Sequence, residues 1–446
     1  MADGGPTVDF EERVVDRITK HFAGLRTRDL TTMGRVFPTT ARPDLETAIA
    51  DLLEAEATDV DFVGVSALNY RPLKFSALIS ERREPPIVVP AEYQDIDIGD
   101  ETPGRCIVSG IWFFTHRDAP VALLVSQAER PYDDPGVRVE VVMSEAGGGR
   151  DAAQRLLGIM AKSLTERSVY AGRTLSFTTQ RSYMGGLGAL QVHQLPTVSL
   201  EDVILPRPTL EALQRTVFRF VETRAALKEH GFSTKRGLLL YGPPGTGKTH
   251  FIRYLLFQMA GHTALLVTAE QVAYFNQVMM VARALQPAIV VIEDADLLAR
   301  AREERDGDCS QVLLNSLLNH MDGLTEDAEI LFILTTNRPE TLEAAVRDRP
   351  GRIDQAIEIP LPDAECRARL LRLYSERMTL PESIVEACVR RTDSVSAAFI
   401  RELARRMAQF ALLRDTKEVG DEDMQLALDE MLNAGDFNSM ALGAAS

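Results

Sequence analysis

The run Gly242-Pro243-Pro244-Gly245-Thr246-Gly247-Lys248-Thr249 limits what this chain can fold into more than any other stretch. It fits the pattern G-x-x-x-x-G-K-[ST], follows the apolar run Leu238-Leu239-Leu240-Tyr241, and opens a helical pattern over 248–260. Glycines let the backbone wrap an anion with its N–H groups turned inward, and a helix start adds its positive dipole end. Lys248 is then placed to reach the β- and γ-phosphates of a nucleotide, and the Thr249 hydroxyl to ligate Mg²⁺. Such a loop sits between a strand and a helix, so the chain around it must be α/β.

The text from about Pro196 agrees. Ala264–Thr268, Ala288–Ile292, Ile330–Thr335 and Ala356–Ile359 are short apolar runs suited to buried parallel strands. Helical stretches at 209–229, 248–260, 311–321 and 340–346 lie between them. Past Leu361-Pro362-Asp363 the strands stop, and 364–377, 382–391, 396–413 and 421–433 read as four helices of a small all-α lid. Open α/β sheets place ligands at the carboxyl ends of their strands. The acidic motif needed there is expected on a strand next to the phosphate-loop strand, and Ala288 to Asp296, reading AIVVIEDAD, supplies it. By register Glu293 takes the magnesium-side place beside Thr249, and Asp294 the water-activating place.

Residues 1–195 read as a separate α+β domain. An amphipathic helix is expected over 9–25, a second near Leu45–Leu53 and a third over 151–166; strands are expected around 60–67, 73–80, 105–115, 120–127, 136–143 and 175–178. His21, His116 and His193 are scattered, and the loop Met184–Gly188 lacks the Lys and apolar helix start of a phosphate loop, so no chemistry is assigned to this region. The expected division is 1–195, 196–362 for the α/β core, 363–435 for the lid, and a flexible tail over 436–446.

Length and charge narrow the partners. At 446 residues the chain is long enough for two or three domains. Its net charge of −16 opposes a non-specific grip on nucleic acid, which needs Lys and Arg at phosphates, so nucleic acid is not an expected partner. Cys106, Cys309, Cys366 and Cys388 form no C-x-x-C pair, which points to reduced thiols in a cytoplasmic protein. No apolar run approaches the about 20 residues a membrane span needs.

Several motifs in a fixed order make residues from about Leu195 to Asn433 resemble the AAA family of P-loop ATPases, of a bacterial type with an unassigned N-terminal domain. Val198–Val203 looks like the segment that lies beside the adenine there, which implies Asp202 and Val203 as nucleotide contacts. Pro244, Gly245, Thr246, Gly247, Lys248, Thr249 and His250 match the phosphate loop, and Ser396-Ala397 stands where the lid touches the adenine. His320–Leu324 resembles the intersubunit-signalling segment. Thr335-Thr336-Asn337 resembles the sensor-1 strand end, which makes Asn337 the residue that orients the attacking water. The run RDRPGRID, Arg347–Asp354, resembles the arginine-finger region, with Arg349 and Arg352 at the two finger positions.

The resemblance implies ATP with Mg²⁺, hydrolysis at sites shared between subunits, a ring-shaped homo-oligomer (a hexamer in most members) and a protein cargo or adaptor bound through 1–195. Two functional readings follow. One is a ring ATPase that remodels, translocates or disassembles a protein partner. The other is an ATP-gated assembly switch or scaffold that does no mechanical work.

Some positions depart from the family. The acidic pair reads Glu-Asp where the usual order is Asp-Glu, a reversal that resembles the mitochondrial complex III assembly ATPases, although no segment here reads as their membrane anchor. The finger segment is one residue longer than the common spacing, so Arg349 and Arg352 both stand as candidates. Arg401 is either an adenine-side sensor or an ordinary exposed helix residue. Tyr274-Phe275 stands near the pore-loop place without the following Gly, and core packing is the favoured reading.

Overall fold

The computed structural model describes residues 12–66, 73–79, 86–130, 133–145, 148–178, 189–297, 325, 328–340 and 353–432. The chain divides into two compact units, Met1–Ala171 with Phe177–His193, and Gly172–Ser176 with Gln194–Ser446.

The first unit is built on a seven-stranded antiparallel sheet. Its strands are β1 (Leu30–Pro38), β2 (Thr58–Ser66), β3 (Ile87–Val89), β4 (Glu92–Ile96), β5 (Gly104–His116), β6 (Ala119–Arg130) and β7 (Asp133–Ser144). They run in the order β1-β7-β6-β5-β2-β3, with β4 beside β5. Side chains alternate across a strand, and here both faces are apolar. Trp112, Phe114, Leu123, Val139 and Val141 face one core, with Leu45, Ile49 and Leu52 of α2 (Arg42–Glu56). Ile111, Phe113, Ala122, Leu124 and Val142 face the other, with Val14 and Ile18 of α1 (Val14–His21). The β5–β6 hairpin turns on Arg117 and Asp118, with φ of 51° and 61°, the two-residue geometry whose twist matches that of the strands.

The strand expected over 73–80 is instead a short helix, α3 (Phe75–Leu78). A short apolar run does not settle the period by itself. What settles it is long-range: the Phe75 N–H donates to the buried Glu140 carboxylate at 2.8 Å, and Ser126 Oγ donates to the Leu73 carbonyl at 2.7 Å. The third expected helix is α4 (Gly149–Glu166). It leads to Ser168 and Val169, which both donate to the Asp44 carboxylate at 2.7 Å.

The second unit holds the parallel sheet. The run 175–178 was expected in the N-terminal domain, but β8 (Thr174–Phe177) pairs through Thr174–Ser176 with β11 (Thr263–Val267), so the chain crosses the boundary expected near 195. The strand β9 (Leu190–His193) returns to the first unit. Along the sheet the order is β14 (Gln355–Glu358), β10 (Arg236–Tyr241), β13 (Ile330–Thr336), β12 (Ala288–Ile292), β11, β8 and β9, and the pairs from β14 to β8 are parallel. The acidic strand β12 is therefore not the neighbour of the phosphate-loop strand β10, as expected from sequence. The strand β13 stands between them, and its end carries Asn337.

Among the described residues, three helices flank this sheet: α5 (Arg207–Glu229), α6 (Lys248–Gln258) and α7 (Phe275–Ala284). Phe251, Ile252 and Leu255 of α6 pack on Leu238, Leu240, Ile289, Val291, Leu331 and Ile333. The lid is α8 (Ala364–Tyr374), α9 (Glu382–Arg391), α10 (Ala397–Leu413) and α11 (Asp421–Leu432), at the positions its periodicity predicts. Asp363 caps α8 by accepting from Cys366 N at 2.8 Å, and Ser396 caps α10 by accepting from Phe399 N at 3.2 Å. Ile204 belongs to the lid core, while its neighbours Val203 and Leu205 belong to the core under the sheet.

The stretches 311–321 and 340–346, the segment His320–Leu324, the loop Met184–Gly188, the tail 436–446, Cys309, Arg349 and Arg352 lie wholly or largely outside the described residues. Cys106, Cys366 and Cys388 are buried free thiols, and among the described residues no helix is long and apolar enough to cross a membrane.

Candidate active site

The carboxyl ends of β10, β13 and β12 lie side by side, and each contributes one part of the site. From β10 comes the phosphate loop. Gly242, Gly245 and Gly247 have φ of 147°, 75° and 103°, a region that favours glycine. Space demands glycine as well. A Cβ on Gly242 would lie 2.2 Å from the Ile359 carbonyl oxygen, and one on Gly245 would lie 2.8 Å from the Ala398 Cβ. The loop thus presses against both the sheet and the lid, and the Ala398 N–H donates to the Gly245 carbonyl at 3.0 Å. Ser396 is fully buried there and Ala397 nearly so, and the Ser396 hydroxyl caps its own helix.

Lys248 is folded back onto the loop. Its Nζ donates to the carbonyls of Gly242 and Pro243, both at 2.8 Å, and Thr246 Oγ1 donates to Pro243 at 3.0 Å. Only 7% of Lys248 is exposed. Burial pushes its ammonium down to about 8, against the opposing pull of the Asp294 and Asp296 carboxylates. Thr249 and His250, next on α6, are exposed. His250 Nε2 lies 3.1 Å from the Asp202 carbonyl oxygen, a hydrogen bond that places the proton on Nε2. The Asp202 carboxylate accepts from Ser199 N and Oγ at 2.8 Å each, which holds it below the usual carboxylate range. The segment 199–203 is therefore fixed by its own short turn and by the first turn of α6.

From β12 comes the acidic pair. All five strand residues are buried. Glu293 continues the series Ile289, Val291 that packs under α6. Asp294 is exposed and has φ of 50°. That left-handed backbone is one that short polar side chains tolerate better than most. It gives a physical reason for aspartate in second place, where the usual family order has glutamate.

From β13 comes the link. Asn337 Nδ2 donates to Asp294 Oδ1 at 3.2 Å. The Asp294 N–H donates to Thr335 Oγ1 at 3.0 Å, and the Ala295 N–H to the Thr335 carbonyl at 2.8 Å. Sequence reading missed Thr335 and Asp296 as parts of this assembly. The signal for Asp296 was its place two residues beyond Asp294 in EDAD, just past an apolar strand. Phe275 is 1% exposed, in line with core packing, and Arg401 lies on a lid groove with Tyr374, Arg405 and Leu412. Beyond the finger positions, Asp354 closes the edge strand: its N–H donates to the Gly237 carbonyl at 2.9 Å, and its carboxylate accepts from Gly237 N at 2.8 Å.

A glycine-lined anion cradle at a helix start, a buried lysine and oxygen donors at adjacent strand ends define the class: a P-loop nucleotide-binding protein. Residues 238–361 match the family described as ATPase family associated with various cellular activities (AAA). The chain carries an AAA ATPase domain. It is 29% identical over 266 residues to a 26S proteasome regulatory subunit 8 homolog of Schizosaccharomyces pombe, covering 57% of this chain and 66% of that one. It is 30% identical over 253 residues to a proteasome-activating nucleotidase of Pyrococcus horikoshii, covering 54% and 63%. A Cell division cycle protein 48 homolog of Archaeoglobus fulgidus is 28% identical over 248 residues, covering 54% and 34%. The chain thus spans just under two thirds of the length of the proteasomal relatives.

The residues present fit Mg²⁺ and a triphosphate. The glycine cradle has no room for side chains at Gly242 and Gly245, and Thr249 and Glu293 offer the hard oxygen donors that magnesium takes.

Proposed function

We propose that this chain binds ATP with Mg²⁺, hydrolyses it in a ring of identical subunits, and uses the cycle to remodel a protein partner. The observation that carries the reading is the 3.2 Å bond from Asn337 to Asp294, at a strand end set between the phosphate loop and the acidic pair. Thr249 and Glu293 would hold the metal, which would supply positive charge to offset the negative charge of the phosphates. Lys248 turns from its two carbonyls to the β- and γ-phosphate oxygens. Asn337 orients a water for in-line attack on the γ-phosphorus. As the new P–O bond forms, Asp294 accepts the proton of that water, and the bond to the ADP oxygen breaks. Asp202, Val203, Ser396 and Ala397 frame the adenine.

The ring, its hexameric form and the protein cargo rest on similarity to the proteasomal ATPases. Residues 1–171 with 177–193 would bind the cargo or an adaptor, in a cytoplasmic setting that suits three buried free thiols. The finger, Arg349 or Arg352, would enter from the neighbouring subunit.

Subunit mixing tests the shared site. Arg349→Ala and Arg352→Ala are each made; the true finger variant loses turnover by roughly 10³-fold or more while keeping ATP affinity. Mixed with inactive Lys248→Ala protein, it regains partial turnover, since one subunit supplies the loop and the other the finger. Near-normal turnover of both single variants, or no recovery in confirmed mixed rings, sinks the shared-site reading. Measuring turnover with and without bound cargo separates remodelling from an ATP-gated scaffold.

A further inference from the structure

Asp296 has no part in the reaction just described, yet it is 4% exposed and lies three residues past Glu293. Its Oδ1 accepts from the Thr336 hydroxyl at 3.1 Å and from the Asn337 N–H at 3.2 Å. The Thr336 hydroxyl in turn accepts from the Arg338 N–H at 3.0 Å. Asn337 needs this support because the sheet has stopped holding it. The register of β13 with β12 ends at Leu334, and that with β10 ends at Thr336. One residue further on, the backbone has no ladder partner on either side. We infer that Asp296 is a positioning residue: its carboxylate replaces the missing ladder and fixes where the Asn337 side chain meets Asp294 and water. This inference rests on the reading of Asn337 as the water-orienting group.

The physical basis is geometric. A reacting group displaced by about 1 Å costs on the order of 10²-fold in rate. Substrate affinity survives, because the phosphate loop and Lys248 are untouched. A buried carboxylate close enough to act on Lys248 could also work through charge. The two roles separate on substitution. Asparagine keeps an Oδ1 that accepts both donors but carries no charge, whereas alanine keeps neither.

Asp296→Ala is expected to lower kcat by roughly 10²-fold with KM for ATP nearly unchanged. Asp296→Asn recovers most of that loss, and Asp296→Ala adds little in an Asn337→Ala background. Thr336→Val, which removes the hydroxyl that donates to Asp296 and accepts from the Arg338 N–H, gives an intermediate loss and serves if Asp296→Ala does not fold. In nucleotide-free protein, hydrogen exchange of the Asn337 amide quickens in Asp296→Ala or Thr336→Val and stays slow in Asp296→Asn. Equal losses for Asn and Ala, with a raised KM, would overturn the positioning role in favour of charge on Lys248. Unaltered exchange at Asn337 in every variant would overturn it outright. Absence of turnover in the unsubstituted protein would overturn the ATPase reading instead, and the exchange measurement would still decide the role of Asp296.

Discussion

The antiparallel sheet of the N-terminal unit and the parallel sheet of the C-terminal unit both bury their strands on two faces. They differ in where the strand ends go. In the antiparallel sheet paired strands end at opposite edges, and the β5–β6 hairpin closes on Arg117-Asp118. Its buried acids hold structure: Asp44 accepts from Val169 N and Ser168 Oγ, and Glu140 from Phe75 N. In the parallel sheet β10, β13 and β12 deliver their carboxyl ends to one edge, which brings together Gly242, Asp294, Asp296 and Asn337 from widely separated sequence. The same chemistry of buried carboxylate and N–H holds structure in the first unit, and in the second it holds structure beside an exposed acid.

The sharpest way to break this comparison is to weaken one sheet and read the other. Phe114, fully buried in a core that shares no residue with the one under the phosphate loop, should cost about 3–5 kcal/mol on Phe114→Ala by denaturant unfolding. Nucleotide affinity, measured at a temperature where the variant is folded, should not change; a parallel fall in affinity would mean that chemistry is not confined to the parallel sheet.

Lys248→Ala attacks the other side. Removing the buried ammonium proposed to meet the triphosphate should cost about 2–5 kcal/mol of ATP affinity, roughly 30- to 5,000-fold. Unchanged affinity in calorimetry would remove the phosphate site from that edge.

The smallest effect concerns protons. Burial holds Lys248 down near about 8 in the free protein, and a bound triphosphate favours its charged form. At about pH 8.5 part of the free population is neutral, so ATP binding takes up a proton, and affinity falls as pH rises above that value. Calorimetry in buffers of different ionisation heat detects the uptake, and equal heats in all buffers would refute it.

Much of the second unit was legible because its signals are local. The phosphate loop, the apolar strands and the capped lid helices each occupy one short stretch, and periodicity or turn chemistry reads them directly. What escaped depends on distant partners. Leu175 reads as a strand residue, but nothing near it says that its strand pairs with Ala264–Leu266 rather than with the sheet before it. Leu73 to Leu78 reads as strand until Glu140 is brought to the Phe75 N–H. Asp296 reads as one more acid until β13 is placed between β10 and β12. The reversed acidic pair was visible, but its reason, the left-handed backbone at Asp294, was not.

The short stretch from Val203 to Leu205 has a mechanical consequence. Three consecutive side chains are anchored in two different bodies, Val203 and Leu205 under the sheet and Ile204 in the lid. Just ahead of them the Asp202 carbonyl is tied to His250 on the first turn of α6, and across the cleft Ala398 is tied to Gly245. The lid is thus pinned at two points on either side of the nucleotide cradle, like a shutter hung on a pair of pivots. Sliding the lid along the core would draw Ile204 out of its apolar seat, whereas a rotation about the line through the two points would leave both contacts made. A force on the far end of α10 would therefore reach the cradle as torque on the two contacts that border the phosphate loop.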